Sequence, residues 1–216
     1  GLALSRDADP KGDPGPDYLF VVSSDFDLQY NGGAVQSFDL SKLVEAIPRR
    51  CVESAECKGA PAGDFCQRGG MCAESEDKSP CPGGNDRSDA DRLLFPGRCA
   101  PATLTTTDSV KIGAFATDAI IRERPEMTVS GAPERLFVPV RGDSTLHWLD
   151  VADDGHLDCG QGSDGACNDQ HRVGDKPSEN ARGITLNAEP FAIDADARGD
   201  TIVVTKQTSG TAALFT

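Results

Sequence analysis

The sequence predicts an all-β protein assembled from repeated units of antiparallel strands. Three runs rich in β-branched and aromatic residues share one hairpin pattern, and Gly and Pro punctuate the chain between them. Eight cysteines lie in polar segments that are typical of loops. With 216 residues, of which 23 are Gly and 14 are Pro, the chain can form one large β-rich domain or one domain with a small module.

Each repeated unit is predicted to contain a hairpin and flanking strands. The hairpins, each with a Gly-containing turn, cover residues 18–40, 135–151 and 201–215. A further strand is predicted before each hairpin, at residues 1–5, 114–121 and 190–194. A fourth strand is predicted at residues 109–112 or 183–186. Such series of four-stranded sheets are typical of β-propeller blades, because a small twisted sheet covers its faces only by stacking against neighbouring sheets.

The repeats resemble the blades of secreted β-propellers of the YVTN/lactonase-like type. The matching stretches, a little over half of the chain, are Tyr18 to Ser24 with Gly33 to Leu40, Arg135 to Val151, and Pro190 to Phe215. The resemblance implies a central channel lined by polar and acidic side chains, sometimes around a divalent cation. It also implies that strand-end residues such as Asp25, Arg141 and Lys206 lie near the channel mouth. No catalytic residue is implied, because the repeats carry no specific catalytic motif.

Three blades are fewer than the four that closure of a propeller requires. We therefore expect an incomplete set, with the remaining blades supplied by a longer chain or by a partner; a divergent blade between Cys51 and Thr107 is the alternative. The predicted organisation is a first blade with a short helix (1–48), a cysteine-rich insertion (49–104), a second blade (105–152), a polar loop insertion (153–182) and a third blade (183–216). The helix is expected from Ser41 to Ile47, before Pro48.

The cysteines predict disulfide bonds and an extracytoplasmic location, whether periplasmic, cell-surface or secreted. They are Cys51, Cys57, Cys66, Cys72, Cys81 and Cys99 in the first insertion, and Cys159 and Cys167 in the second. Zinc is the alternative, but there is no Cys-x-x-Cys pair and the histidines lack zinc-finger spacing. Six cysteines permit 15 pairings, among which spacing does not choose. The closeness of the last two cysteines predicts one local bridge.

Two acidic clusters are candidate metal sites. One consists of Asp150, Asp153, Asp154 and Asp158 around Gly155, and the other of Asp194, Asp196 and Asp200 around Gly199. Carboxylates at short spacing around a tight turn suit calcium, so calcium is an optional cofactor, and none is required. Solvated Asp/Gly turns are the commoner explanation of such clusters. Similarly, His147 could be a general base, but a structural histidine on a sheet face is commoner.

The charge and the motifs of the sequence limit the classes of function that it favours. The net charge of −14 argues against nucleic-acid binding, and no apolar stretch is long enough to cross a bilayer. Without a catalytic signature, the sequence favours an exported propeller-type binding or scaffold module over an enzyme, with loops presented to a protein or cell-envelope component. The alternatives are a calcium-assisted lactone or ester hydrolase and a structural subunit of an extracellular assembly whose strand edges pair with neighbours.

Overall fold

The computed structural model describes residues 1–5, 17–24, 32–42, 51–60, 63–66, 72–73, 105–124, 132–174, 186, 188–196 and 201–216. The chain divides into two compact units. Unit 1 comprises Gly1–Asp39 with Thr106–Thr216, and unit 2 comprises Leu40–Thr105. Antiparallel strands account for most of the regular structure in the described residues, which confirms the all-β class. No helix in these ranges is long and apolar enough to span a membrane.

The strands in the described residues are numbered in chain order. They are β1 (Leu2–Leu4), β2 (Tyr18–Ser23), β3 (Gly33–Asp39), β4 (Phe65–Cys66), β5 (Cys72–Ala73), β6 (Asp108–Ile112), β7 (Ile120–Glu123), β8 (Glu134–Val140), β9 (Thr145–Val151), β10 (Leu157–Asp158), β11 (Arg172–Gly174), β12 (Pro190–Ala195), β13 (Ile202–Lys206) and β14 (Ala212–Phe215). Two short 3-10 helices cover Ser54–Cys57 and Asp169–His171.

Unit 1 contains three antiparallel sheets. Sheet 1 has the order β1-β2-β3-β6, and sheet 2 has the order β10-β9-β8-β7, with β11 also paired to β9. Sheet 3 has the order β12-β13-β14. The three predicted hairpins are thus confirmed as β2–β3, β8–β9 and β13–β14. The predicted fourth strand at 109–112 is β6, whereas the one at 183–186 lies outside the described residues except for Leu186.

One predicted strand begins later than the sequence suggests. The segment 114–121 was expected to be extended, but β7 starts only at Ile120. Phe115 has a φ of 60°, in the left-handed region, and Ala116 forms only an isolated bridge to Val140. A left-handed residue interrupts the alternation of side chains on which a strand depends, so the chain turns here before pairing begins. Of the predicted helix at 41–47, residues 41 and 42 are helical and the rest lies outside the described residues.

The hydrophobic core of unit 1 lies on both faces of sheet 2. Leu136 and Val138 of β8 face Phe20 and Val35 of sheet 1, in one cluster of buried side chains. The opposite face of sheet 2 contributes Trp148, which belongs to a second cluster together with residues of sheet 3. Each fully buried side chain of this size stabilises the fold by about 1.5–3 kcal/mol. Sheet 2 is therefore the middle layer of a stack of three sheets.

The outer sheets each leave one face open. Leu2 and Leu4 of sheet 1 are 67% and 49% exposed, and Leu214 of sheet 3 is 68% exposed. Their strands bury the alternate residues against sheet 2, which explains why only one face of each is covered. Among the described residues no sheet is closed, so the propeller arrangement stays a prediction.

The second predicted insertion is part of the packed structure of unit 1. Cys159 and Cys167 form a disulfide across a sequence separation of 8, and both sulfurs belong to the core between sheets 1 and 2. The closed loop lies along the free edge of β6. Lys111 donates its backbone N–H to Gly165 O at 2.8 Å, and Cys167 donates to Lys111 O at 3.2 Å. The loop thereby satisfies backbone groups of an edge strand and joins sheet 2 to sheet 1.

The described residues of unit 2 are joined by two disulfides. The disulfides are Cys51–Cys66 and Cys57–Cys72, each with a sequence separation of 15. The four sulfurs and Ala60 make up its core, together with the two-stranded sheet β4-β5. A segment with so little apolar surface depends on such crosslinks for its fold. Cys81 and Cys99 lie outside the described residues.

Candidate ligand-binding cavity

An open cavity of about 320 Å³ lies where strands of all three sheets begin or end. Val22 and Ser24 line it from the end of β2, and the segment 115–117 lines it from the approach to β7. Arg141 follows β8, and Phe191 belongs to β12. Because the strands are antiparallel and the sheets are stacked, their ends converge at one edge of unit 1. The sheets thereby bring together residues that are more than 160 positions apart in the sequence.

Arg141 supplies the one cationic side chain among the described lining residues of this cavity, which the backbone of Gly1 also lines. Its guanidinium lies over the ring of Phe115, 5.5 Å from the ring centroid, and donates one hydrogen bond to Gln207 Oε1. Its backbone N–H donates to Phe115 O at 3.1 Å. Among the described residues Arg141 has no carboxylate partner, whereas Arg135 at the other end of β8 has one in Asp150 at 2.7 Å. The Phe115 ring and the Gln207 amide therefore hold the Arg141 guanidinium in place. Its remaining N–H donors face no carboxylate among the described residues.

The turn that presents Phe115 recurs in sheet 3. Phe115 and Glu189 have φ values of 60° and 59°, and each precedes the first strand of its sheet. The carbonyl of Glu189 accepts a hydrogen bond from Gln207 N at 3.0 Å, as that of Phe115 accepts one from Arg141 N. The left-handed conformation costs a residue with a side chain roughly 1–2 kcal/mol. Sheets 2 and 3 therefore share this turn. In sheet 2 the turn also places an aromatic ring beside Arg141.

The remaining walls of the cavity are mostly apolar. Val22 is buried, and the Phe191 ring is 43% exposed. Thr117 uses its hydroxyl in a hydrogen bond to the carbonyl of Phe191, which ties the approach to β7 to sheet 3. The hydroxyl of Ser24 is buried and has no hydrogen-bond partner among the described residues. The cavity thus offers one guanidinium within an aromatic and aliphatic lining.

Of the three residues that the resemblance puts near a channel mouth, Arg141 lines this cavity. Lys206 is not among the lining residues and donates a hydrogen bond from Nζ to Thr211 Oγ1 at 3.3 Å. Asp25 lies outside the described residues. Sequence reasoning did not single out Phe115, Ser24 or Phe191 as lining residues, because their neighbourhood depends on the stacking of separate sheets.

The first acidic cluster is spread over a sheet edge and two turns. Asp150 accepts a hydrogen bond from Arg135 Nε at 2.7 Å and forms an ion pair with Arg124 at 3.1 Å. Asp158 lies opposite Asp150 in the β9–β10 pair, and its carboxylate accepts from Gly160 N at 2.8 Å. A carboxylate between two guanidinium groups is already neutralised, which opposes its use as a calcium ligand.

The other predicted ligands cap local backbone. Asp154 accepts a hydrogen bond from His156 N at 3.3 Å, and Asp153 is exposed in the same turn. In the second cluster, Asp194 accepts from Ala195 N at 2.8 Å and Asp196 from Thr201 N at 3.0 Å. These are the bonds that Asp makes in ordinary turns. Asp200 lies outside the described residues, and calcium binding stays a prediction for both clusters.

Among the described residues one group of three potential metal ligands has its ligand atoms within 4.8 Å of one another. It consists of Cys51, Cys57 and Cys66, all of which are in disulfides. Sulfurs bonded in this way do not provide the thiolates that a soft metal requires.

A buried histidine and a partly exposed aspartate lie side by side in the β8–β9 hairpin of sheet 2. His147 is 2% exposed and the Asp143 side chain 37% exposed, and His147 Nε2 is 3.9 Å from Asp143 Oδ2, which is too long for a hydrogen bond. Burial alone would raise the pKa of Asp143. The His147 contact, a hydrogen bond from Thr145 and the charge of Arg172 outweigh burial and hold that pKa below its usual value. This pair stabilises the turn between β8 and β9, next to the cavity residue Arg141.

Comparison with known proteins gives no match: no protein-family model, no curated protein and no solved structure matches the chain. Two features of the structure bear on function, namely the insertion of unit 2 between two paired strands of sheet 1 and the cavity beside Arg141.

Proposed function

We propose that the chain is part of an exported propeller-type scaffold that presents unit 2 to a protein or cell-envelope partner. The observation that carries this proposal is the insertion of unit 2 between two strands that pair directly. β3 and β6 are in continuous antiparallel register from Gly33 opposite Ile112 to Ser37 opposite Asp108. Leu40–Thr105 leaves the sheet after β3 and returns before β6. Insertions that leave a scaffold intact are commonly its binding surfaces.

The stacking of the sheets supports the propeller part of the proposal. Sheet 2 buries both faces, whereas sheets 1 and 3 expose leucines on their outer faces, among them Leu2 and Leu214. Further sheets of the same kind, from a longer chain or from a partner, would cover these faces in the way that sheet 2 is covered. The recurrence of the left-handed turn at Phe115 and Glu189 is further support for equivalent blades.

The disulfides support export. The described residues contain three, in both units, and disulfides persist in oxidising compartments such as the periplasm and the extracellular space. In the described part of unit 2 the buried cluster consists of cysteines and Ala60, so reduction of its disulfides would weaken this part of the fold.

The test is deletion of residues 40–105, which joins Asp39 to Thr106. The backbone bond from Thr107 N to Ser37 O, at 2.8 Å, already closes the strand pair at this point, so sheet 1 is expected to fold with a short turn. Trp148, the sole tryptophan, lies in sheet 2 and reports the folding of unit 1 by fluorescence. The full chain and the deletion variant are immobilised and exposed to a cell-envelope extract of the producing organism.

We expect the full chain to retain a component that the deletion variant does not retain, while the tryptophan unfolding transition is the same in both. A matched variant, with the four described cysteines of unit 2 replaced by alanine, is expected to lose the component as well. Equal retention by the full chain and the deletion variant would remove unit 2 from the binding surface. Large homo-oligomers in a solution size measurement would instead favour a structural subunit of an assembly.

A further inference from the structure

We infer that the cavity beside Arg141 binds a small organic monocarboxylate with an apolar body. The first reason is the state of Arg141 itself. The chain has 35 acidic and 21 basic residues, so carboxylate partners are abundant in it. Arg124, Arg135 and Arg172 each form an ion pair with an aspartate, and Arg122 donates to the backbone carbonyl of Asp196. Arg141 lines a cavity and has no carboxylate partner in the ranges that the structure describes.

The second reason is that the guanidinium is held in place. The Phe115 ring lies against it, and the amide of Gln207 accepts one of its hydrogen bonds. Ordering a long side chain normally costs binding free energy, and a side chain that is already ordered avoids much of this cost. Arg also presents a planar pair of N–H donors that fits the two oxygens of a carboxylate. The free donors of Arg141 thus form half of a bidentate contact.

The walls define the rest of the ligand. Val22, Phe115 and Phe191 provide aliphatic and aromatic surface, and the volume of about 320 Å³ is at the lower limit for small-molecule sites. The ligand therefore has an apolar body about the size of one ring or one branched chain.

Charge favours a carboxylate over a phosphate. A phosphate dianion requires more than one compensating cation when it leaves water. Arg141 is the one cationic side chain among the described lining residues, and the amino group of Gly1, which also lines the cavity, already donates to Val22 O at 3.3 Å. The net charge of −14 opposes a multivalent anion still further. A singly charged carboxylate is neutralised by one guanidinium, and its apolar body gains from contact with the rings.

The experiment titrates the 216-residue chain with benzoate, phenylacetate and 3-methylbutanoate by calorimetry and by ligand-observed NMR. Benzyl alcohol, which lacks the charge, and inorganic phosphate, which lacks the apolar body, are the ligand controls. The variants are Arg141→Gln, Phe191→Ala and Lys206→Gln, the last of which removes the same charge at a neighbouring strand end outside the lining residues.

We expect at least one of the three monocarboxylates to bind, and benzyl alcohol and phosphate to bind at least about tenfold more weakly. Arg141→Gln should weaken binding about tenfold or more, Phe191→Ala should weaken it several-fold, and Lys206→Gln should leave it within about twofold. Phe191→Ala keeps the test valid should Arg141→Gln fail to fold, because Phe191 is partly exposed and its loss leaves the guanidinium in place.

Three results would each overturn the inference: no binding of any of the three monocarboxylates at millimolar concentration, equal binding of benzyl alcohol, or equal weakening by Arg141→Gln and Lys206→Gln. Tighter binding of phosphate would overturn the choice of a carboxylate. The variant that lacks residues 40–105 is expected to bind the monocarboxylate as the full chain does. The outcome is therefore independent of whether unit 2 recognises a partner.

Discussion

Replacing Cys159 and Cys167 with alanine tests the role of the second insertion in unit 1. The bridge closes a loop that bonds to the edge of β6 through Gly165 and Cys167, and its sulfurs lie in the core between sheets 1 and 2. The sequence alone predicts that residues 153–182 form a polar loop. The structure makes it part of the packing between two sheets, so we expect its loss to destabilise the whole of unit 1 and not only the loop.

The magnitude follows from the length of the loop. A sequence separation of 8 corresponds to a loss of unfolded-state entropy worth about 2.5 kcal/mol at 25 °C. With a urea dependence of about 2 kcal/mol/M for a unit of this size, the midpoint of unfolding should fall by about 1 M. Alanine also removes the two buried sulfurs, so the entropic value is a lower bound for the expected change.

Tryptophan fluorescence in a urea titration is the assay, because Trp148 is 6% exposed in the core between sheets 2 and 3. The matched control replaces Cys51 and Cys66 of unit 2 with alanine. That bridge spans a sequence separation of 15, so its loss costs unit 2 about 3 kcal/mol. All residues of the core that contains Trp148 belong to unit 1, and the fluorescence transition is therefore expected to stay in place.

A midpoint that moves by less than about 0.3 M in the Cys159/Cys167 variant would refute this reasoning. It would mean that the loop is not coupled to the packing of sheets 1 and 2. A control variant with an equal downward shift would refute it in another way, since the tryptophan transition would then report both units.

Three further predictions concern the stability of unit 1, measured by tryptophan fluorescence. Gly113→Ala is expected to destabilise unit 1 by about 1–3 kcal/mol, because a Cβ at position 113 would lie 2.8 Å from Cγ1 of Val140, which is fully buried, as well as overlapping the Asp143 carboxylate. Gly210→Ala, with nothing within 4 Å of its Cβ, should change stability little. Since the pKa of Asp143 is lowered in the folded protein, its charge stabilises the fold above an unfolded pKa of about 3.9. This contribution is lost as the pH falls through the lower folded pKa, so Asp143→Asn should be less stable than the parent at pH 6 and approach it at pH 2. Millimolar calcium is expected to leave the melting temperature unchanged, because Asp150 is neutralised by two arginines; a rise would show that an acidic cluster binds the ion.

The local features of the fold were predictable from residues close together in the sequence. Alternating apolar residues and Gly-containing turns predicted the hairpins, since both depend on neighbouring positions. The bridge between Cys159 and Cys167 was predictable for the same reason, because few residues separate them. The location of Arg141 at a strand end also followed from the hairpin that it terminates.

The left-handed turns were not predictable. Phe115 and Glu189 adopt positive φ values that favour Gly, and nothing in their side chains indicates it. The pairing Cys51–Cys66 and Cys57–Cys72 likewise depends on how unit 2 folds, because spacing permits many alternatives. The ion pair of Asp150 with Arg124 was not predictable either, because these residues are 26 positions apart in the sequence.

The sequence by itself determined that the chain forms antiparallel β-hairpins, carries disulfides and is strongly acidic. These properties depend on composition and on patterns that repeat within a few residues. Only the tertiary structure decided that β6 pairs with β3 across the whole of unit 2, that sheet 2 is covered on both faces, and that Arg141 meets Phe191 at a shared cavity. Contacts between distant segments depend on which faces stack and in what register, and hydrophobic burial selects these only when all the sheets are present together.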